Sequence, residues 1–175
     1  FLISIQRRIF HNTFEHIKKV FNNVKLDLVP AYEDKQSFGD LDIIIEMESM
    51  ADFYKENTNG DMEEAFSEFL SNNFNSRQEH FAFPVISFEY RKNKDQRVGF
   101  QVDFIHIPKK NYDFSLHYLS YNDLGNLIGV MYRHLGLRFG HYGVNKEVYY
   151  PKLKTTKLGE INITNDFDQS LKFIG

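Results

Sequence analysis

Residues 35–46 read KQSFGDLDIIIE. The apolar run from Leu41 to Ile45 is strand-forming, yet Asp40 and Asp42 stand at its start. Asp is depleted in strands because its short side chain competes for the backbone hydrogen bonds of the ladder. Strand side chains alternate with period 2, so both carboxylates point to one face. There they repel one another unless a positive charge lies between them. That face is either wet or holds a metal.

A second strand repeats the anomaly. RVGFQVDFIHIP (97–108) places Asp103 among Val102, Phe104, Ile105 and Ile107. If this strand lies beside the first, Asp40, Asp42 and Asp103 converge on one face. Three carboxylates without soft ligands suit a hard cation such as Mg²⁺, which takes a few carboxylates together with substrate phosphates. Two such ions, Mg²⁺ or Mn²⁺, about 3.5–4 Å apart can serve an in-line displacement. Asp103 is then also placed to take the proton of an attacking hydroxyl.

Around these strands the chain reads as mixed α and β. Residues 2–22 put Ile5, Ile9, Ile17, Val20 and Phe21 near helical spacing. VKLDLVPAY (24–32) reads as a short edge strand stopped by Pro30. Helix 61–74 is capped by Asp61 and carries a stripe of Met62, Phe66, Phe69 and Leu70. HFAFPVISFEYR (80–91) and residues 97–108 read as two antiparallel strands joined by a polar turn. Beyond Pro108 follow a helix over 121–135, weakened by Gly125 and Gly129, which mark a close packing or a helix start, then short strands around Gly turns and a final short helix over 164–173. The expected division is a larger domain, 1–110, and a smaller one, 111–175.

SFGDLDIII, followed about sixty residues later by QVDFIHIPKKNY, resembles the palm of the nucleotidyltransferase superfamily that includes DNA polymerase beta. The family pattern is Gly-Asp-x-Asp on one strand and a third Asp on a neighbour. Gly39, Asp40, Asp42 and Asp103 match it. IPKKNYDFSLHYLSYNDLGNLIGVMYRHLGLRFGHYGV is similar to the palm-to-thumb passage of family X DNA polymerases, with Pro108-Lys109, the turn Tyr118-Leu119-Ser120-Tyr121, a helix and a Gly-rich strand in that order. The tail from Gly159 resembles the family's closing segment.

The resemblance implies an α+β fold, a palm followed by a thumb-like lobe. It implies transfer of a nucleoside monophosphate from an NTP or dNTP to an acceptor hydroxyl, most readily a DNA 3′ end, with two Mg²⁺ ions as cofactors. By position it gives Tyr118 and Leu119 a place under the nucleotide sugar and Asp123 and Asn126 a place near the base. Gly39 would let phosphate approach the backbone. The sequence departs from the family at two points. LVPAYEDKQSFGD contains neither the Gly-Ser pair that cradles the triphosphate nor an Arg, leaving Lys35, Ser37 and Tyr32 as candidates. Gln101 replaces an Arg that orders the third carboxylate. The acceptor could instead be RNA, tRNA, a protein or a small molecule, or the domain could be a non-catalytic scaffold.

Composition bounds these readings. Across 175 residues the formal net charge is −3, which gives no global attraction to nucleic acid. Basic residues cluster only at Arg7, Arg8, Lys18 and Lys19 and at Lys109-Lys110. Cys is absent, which excludes disulfides and thiol chemistry and fits a reducing, intracellular compartment. No apolar run reaches membrane-spanning length. Charged residues from Arg7 onward interrupt any signal-peptide core, and the initial Phe suggests a trimmed chain. With 18 Phe and 10 Tyr, the core is expected to be built largely from rings. His106 is expected to pack on the strand face opposite Asp103, His141 to lie at the surface, and Arg91 and Arg97 to be solvated hairpin charges.

Overall fold

The computed structural model describes residues 5–57 and 61–175. Residues 2–4 of the expected first helix lie outside that range. The chain divides into two compact units, the first comprising residues 1–29 and 33–109, the second residues 30–32 and 110–175.

The first unit begins with a two-residue strand β1 (Ile5–Gln6) and helix α1 (Arg7–Val20). Strands β2 (Leu26–Leu28), β3 (Ser37–Phe38) and β4 (Asp40–Glu46) follow, then helices α2 (Met47–Asn57) and α3 (Met62–Phe74). The unit closes with β5 (Glu79–Ala82), β6 (Val85–Tyr90) and β7 (Phe100–Ile107). Five of these strands form one mixed sheet in the order β2-β4-β7-β6-β5, and β1 pairs with β3 in a separate ribbon. The β4–β7 pair is parallel, with Asp42 registered on Asp103, and the other pairs of the sheet are antiparallel.

One face of that sheet is filled with apolar side chains. Leu41, Ile43, Ile45, Val102 and Phe104 are buried there. The Phe104 ring meets Phe88 at 4.9 Å, Phe21 at 5.5 Å and Phe66 at 6.5 Å between centroids. These rings tie α3 and the end of α1 to the strands. Each fully buried Phe or Ile contributes about 1.5–3 kcal/mol.

Several local expectations change. Ile9 is exposed, and α1 buries Phe10, Thr13 and Phe14 beside the expected Ile17. Met62 is also exposed, although Asp61 caps α3 as expected, accepting from the backbone N–H of Glu63 and Glu64. The 80–91 segment is two strands rather than one, because Pro84 has no N–H to continue the ladder and the chain turns between Ala82 and Val85. Helix α2 has no counterpart in the sequence reading. Arg91 is not solvated: its side chain is 3 % exposed and lies 3.4 Å from Glu89, whose other oxygen accepts from Gly99 N–H at 2.7 Å.

The second unit follows a single 3-10 turn (Lys109–Asn111). It contains α4 (Tyr112–Leu119), α5 (Leu124–His134), a three-stranded antiparallel sheet of β8 (Arg138–Gly140), β9 (Gly143–Tyr150) and β10 (Leu153–Thr164), and α6 (Phe167–Ile174). Its core gathers Phe114, Tyr132, Phe139 and Val144. Tyr132 is fully buried and donates its hydroxyl to the Ser170 carbonyl at 2.6 Å.

Two expectations shift in this unit. Tyr118 and Leu119 form the last turn of α4, not a turn of their own, and the reversal falls at Tyr121 and Asn122, both at positive φ. The expected 121–135 helix therefore starts at Leu124. A Cβ at Gly125 would collide with the Tyr118 carbonyl oxygen, so the close α4–α5 approach requires glycine there. Among the described residues, no helix is long and apolar enough to cross a membrane.

Candidate metal centre

Parallel pairing sets the site. Asp40 and Asp42 lie at the start of β4, and the register places Asp103 of β7 directly beside Asp42. One carboxylate oxygen from each of Asp40, Asp42 and Asp103 lies within 4.8 Å of the others. Asp40 is exposed, while Asp42 and Asp103 are half-buried.

The electrostatics report an unsettled charge. Burial pushes the Asp42 carboxyl up to about 7, the charges of Asp40 and Asp103 push the same way, and Lys35 pulls it down. Burial is the larger cause of the rise, because it disfavours the charged form, and the two neighbouring carboxylates add to it. All three donors are oxygens, and among the described residues they form the one group of three or more acidic or imidazole side chains able to hold an ion. That donor set fits a hard divalent cation.

Gln101 holds the third carboxylate. It precedes Asp103 by two residues on β7 and so shares its face, and its Nε2 donates to both Asp103 oxygens, at 3.0 and 3.1 Å. This is the position where the resemblance substitutes Gln for Arg. The neutral amide fixes the carboxylate without adding charge. On β6, Ser87 registers opposite Asp103 and stands on the same face.

The loop before β4 carries the candidates for phosphate contact. The ammonium of Lys35 lies 5.0 Å from the centre of the Phe38 ring. Ser37 is exposed in β3, paired with Gln6. A Cβ at Gly39 would meet nothing within 4 Å, so packing does not require glycine there. Arg7, which sequence reasoning treated only as part of a basic cluster, secures this loop. Its guanidinium donates to the carbonyls of Lys35, at 3.1 and 2.9 Å, and of Glu33, at 2.9 Å. No local pattern signals a contact between residues 28 positions apart.

Tyr118, Leu119, Asp123 and Asn126 belong to the second unit. Tyr118 donates its hydroxyl to Asn126 Oδ1 at 3.2 Å, which brings two of the four together. The Tyr118 ring also packs on Phe139 at 5.6 Å and on His141 at 4.8 Å. Leu119 is half-buried. Asp123 is exposed at the N-cap position of α5 without a capping hydrogen bond from its side chain. His141 is half-buried with a sealed Nδ1, not a surface residue, and burial, then Arg138, lowers its pKa. Tyr32, the third phosphate candidate, also belongs to this unit and lies 5.8 Å from the Tyr121 ring.

No protein-family model matches this chain, and no curated protein matches it.

Proposed function

We propose that the chain is a metal-dependent nucleotidyltransferase, moving a nucleoside monophosphate from an NTP or dNTP to an acceptor hydroxyl, first of all a DNA 3′ end. The observation that carries this reading is the Asp40–Asp42–Asp103 cluster across β4 and β7, with Gln101 clamped on Asp103. Within this reading the first unit is the palm and the second the thumb-like lobe.

Asp40, Asp42 and Asp103 would hold Mg²⁺ or Mn²⁺, which supplies Lewis acidity and neutralises triphosphate charge. The acceptor oxygen forms a bond to the α-phosphorus, the bond from that phosphorus to the β-bridging oxygen breaks, and pyrophosphate leaves. Asp103 accepts the acceptor's proton, and Gln101 keeps its carboxylate aimed. Lys35 offers a cation to the triphosphate from the Arg7-held loop. Within the second unit, Tyr118 and Asn126, joined by their hydrogen bond, are candidates for nucleotide contact by resemblance alone, as are Leu119 and Asp123.

A second reading, a palm-derived binding domain without catalysis, is favoured by the loop from Leu28 to Asp40, which lacks a Gly-Ser phosphate cradle. Labelled-nucleotide incorporation separates the two. Wild-type protein and Asp42→Ala are offered gapped DNA, single-stranded DNA, RNA and no acceptor, with Mg²⁺ or Mn²⁺. Transfer by wild type that vanishes in Asp42→Ala is the expected result. Folded wild-type protein that transfers to none of them, and whose melting temperature ignores millimolar nucleotide and Mg²⁺, leaves the binding domain.

A further inference from the structure

The helix-covered face of the sheet contains a cavity that the carboxylate chemistry does not use. Its volume is about 390 Å³, within the range of small-molecule sites. Met50 and Tyr54 of α2, Phe66 of α3, Phe81 of β5 and Ile86 of β6 line it, and so does His106 of β7. His106 is opposite in strand parity to Asp103, so the cavity and the carboxylates lie on opposite faces of β7.

His106 is out of place among these neighbours. It is 2 % exposed, its Nδ1 lies 3.1 Å from the Pro84 carbonyl oxygen, and its Nε2 is sealed from solvent with no hydrogen-bond partner. A carbonyl cannot donate, so Nδ1 carries the proton and donates to Pro84. Burial lowers the imidazole's pKa, against the opposing pull of the Pro84 and Phe104 carbonyls, which favours the uncharged ring. Nε2 is therefore a lone pair without a donor. An unsatisfied buried acceptor costs about 1–3 kcal/mol, a cost that a bound donor would remove. Apart from Glu63 of α3, which is exposed, the rest of the wall is methionine, aromatic and aliphatic, and methionine adapts to varied apolar shapes. The Phe83 ring lies 5.7 Å from the imidazole and is 68 % exposed, so it can swing aside with little loss of buried surface.

We propose that this cavity binds a small apolar molecule carrying one hydroxyl group, whose O–H is accepted by His106 Nε2. The apolar body fills the space between α2, α3 and the β5–β6 hairpin, and the hydroxyl reaches the imidazole past Phe83. The site stands on its own geometry and does not depend on nucleotidyl transfer.

The test uses 4-ethylphenol and ethylbenzene, which share an apolar body and differ by the hydroxyl. Both are titrated into the full ¹⁵N-labelled chain, with the His106 imidazole nitrogens followed by NMR. The phenol is expected to bind about tenfold more tightly than ethylbenzene, and to shift the Nε2 resonance more than that of Nδ1. In His106→Phe the preference should fall to near unity while ethylbenzene still binds. Should that variant not fold, Ala51→Trp, at an exposed α2 position that also lines the cavity, keeps His106 and fills the space, and it should bind neither compound. Equal affinities in the wild type would overturn the proposal. So would an Nε2 resonance unmoved at saturation, no binding of either compound at millimolar concentration, or undiminished binding in Ala51→Trp.

Discussion

On one face of β4 and β7 stand Leu41, Ile43, Ile45, Val102 and Phe104, all buried, while the other face of the same strands carries Asp40, Asp42, Asp103 and Gln101. The two faces are one residue apart in sequence and opposite in their demands. The apolar face gains free energy from every atom removed from water. The carboxylate face half-buries Asp42 and sets like charges beside it, and burial first, then those charges, push its carboxyl up to about 7. The strands that give the first face its core give the second its geometry. Substitutions on the apolar face should therefore damage folding, whereas substitutions among the carboxylates should damage function and spare or improve folding.

The sharpest break of that comparison is Asp103→Asn. It removes one of three repelling charges and keeps the shape. Transfer should fall about 10²–10⁴-fold, the usual range for loss of a proton acceptor. The melting temperature of metal-free protein should rise. A lower melting temperature in EDTA would mean that the carboxylates hold the fold together, and the contrast between the faces would collapse.

Phe104→Ala tests the other face. Its ring is fully buried against Phe21, Phe66 and Phe88, so its loss should cost about 3–5 kcal/mol. Chemical denaturation would show a lower midpoint with an unchanged slope. A loss under 1 kcal/mol would mean that the rings repack and do not form a fixed core.

A smaller effect is read by pH. Asp42 is protonated more readily in the folded than in the unfolded chain, so unfolding releases its proton. Its contribution is full below the ordinary Asp value of about 3.9 and is lost as pH climbs towards about 7. In EDTA the melting temperature should fall by several degrees between about pH 5 and pH 8. Millimolar Mg²⁺ should flatten the fall, because a cation favours the ionised form. Asp42→Asn should flatten it in EDTA as well, which separates this effect from the titration of the histidines.

The two faces were not equally legible in the sequence. Apolar runs located both β4 and β7, period 2 assigned their faces, and the carboxylates stood out because Asp is depleted in strands. That they meet rests on the parallel pairing of β4 with β7, a contact between segments about sixty residues apart. Alternation assigns a face but not a neighbour. Helix α2 was missed because MESMADFYKEN follows the strand without a cap or a clean apolar stripe. Ile9 and Met62 were misplaced because apolar spacing near 3.6 admits more than one stripe, and tertiary packing selects Phe10 and Phe14 over Ile9. Arg7 and the orphaned Nε2 of His106 were invisible, since each depends on distant backbone, the Glu33 and Lys35 carbonyls in one case and Pro84 in the other.

Gln101 sharpens the comparison at its finest scale, since it stands on the charged face without carrying charge. Its amide donates to both oxygens of Asp103, and its loss leaves the carboxylate free to rotate away from Asp40 and Asp42. Gln101→Ala should reduce transfer about five- to tenfold, the worth of one hydrogen bond to a charged group partly shared with water. Gln101→Arg keeps a donor at the same position and adds a cation, so it should restore transfer and also lower the Asp42 pKa. Gln101→Glu adds a fourth negative charge and should lose both transfer and the metal-free stability that Asp103→Asn gains. If alanine, arginine and glutamate at position 101 all behaved alike, Gln101 would be a spectator, and the aim of Asp103 would have to come from the β4–β7 backbone alone.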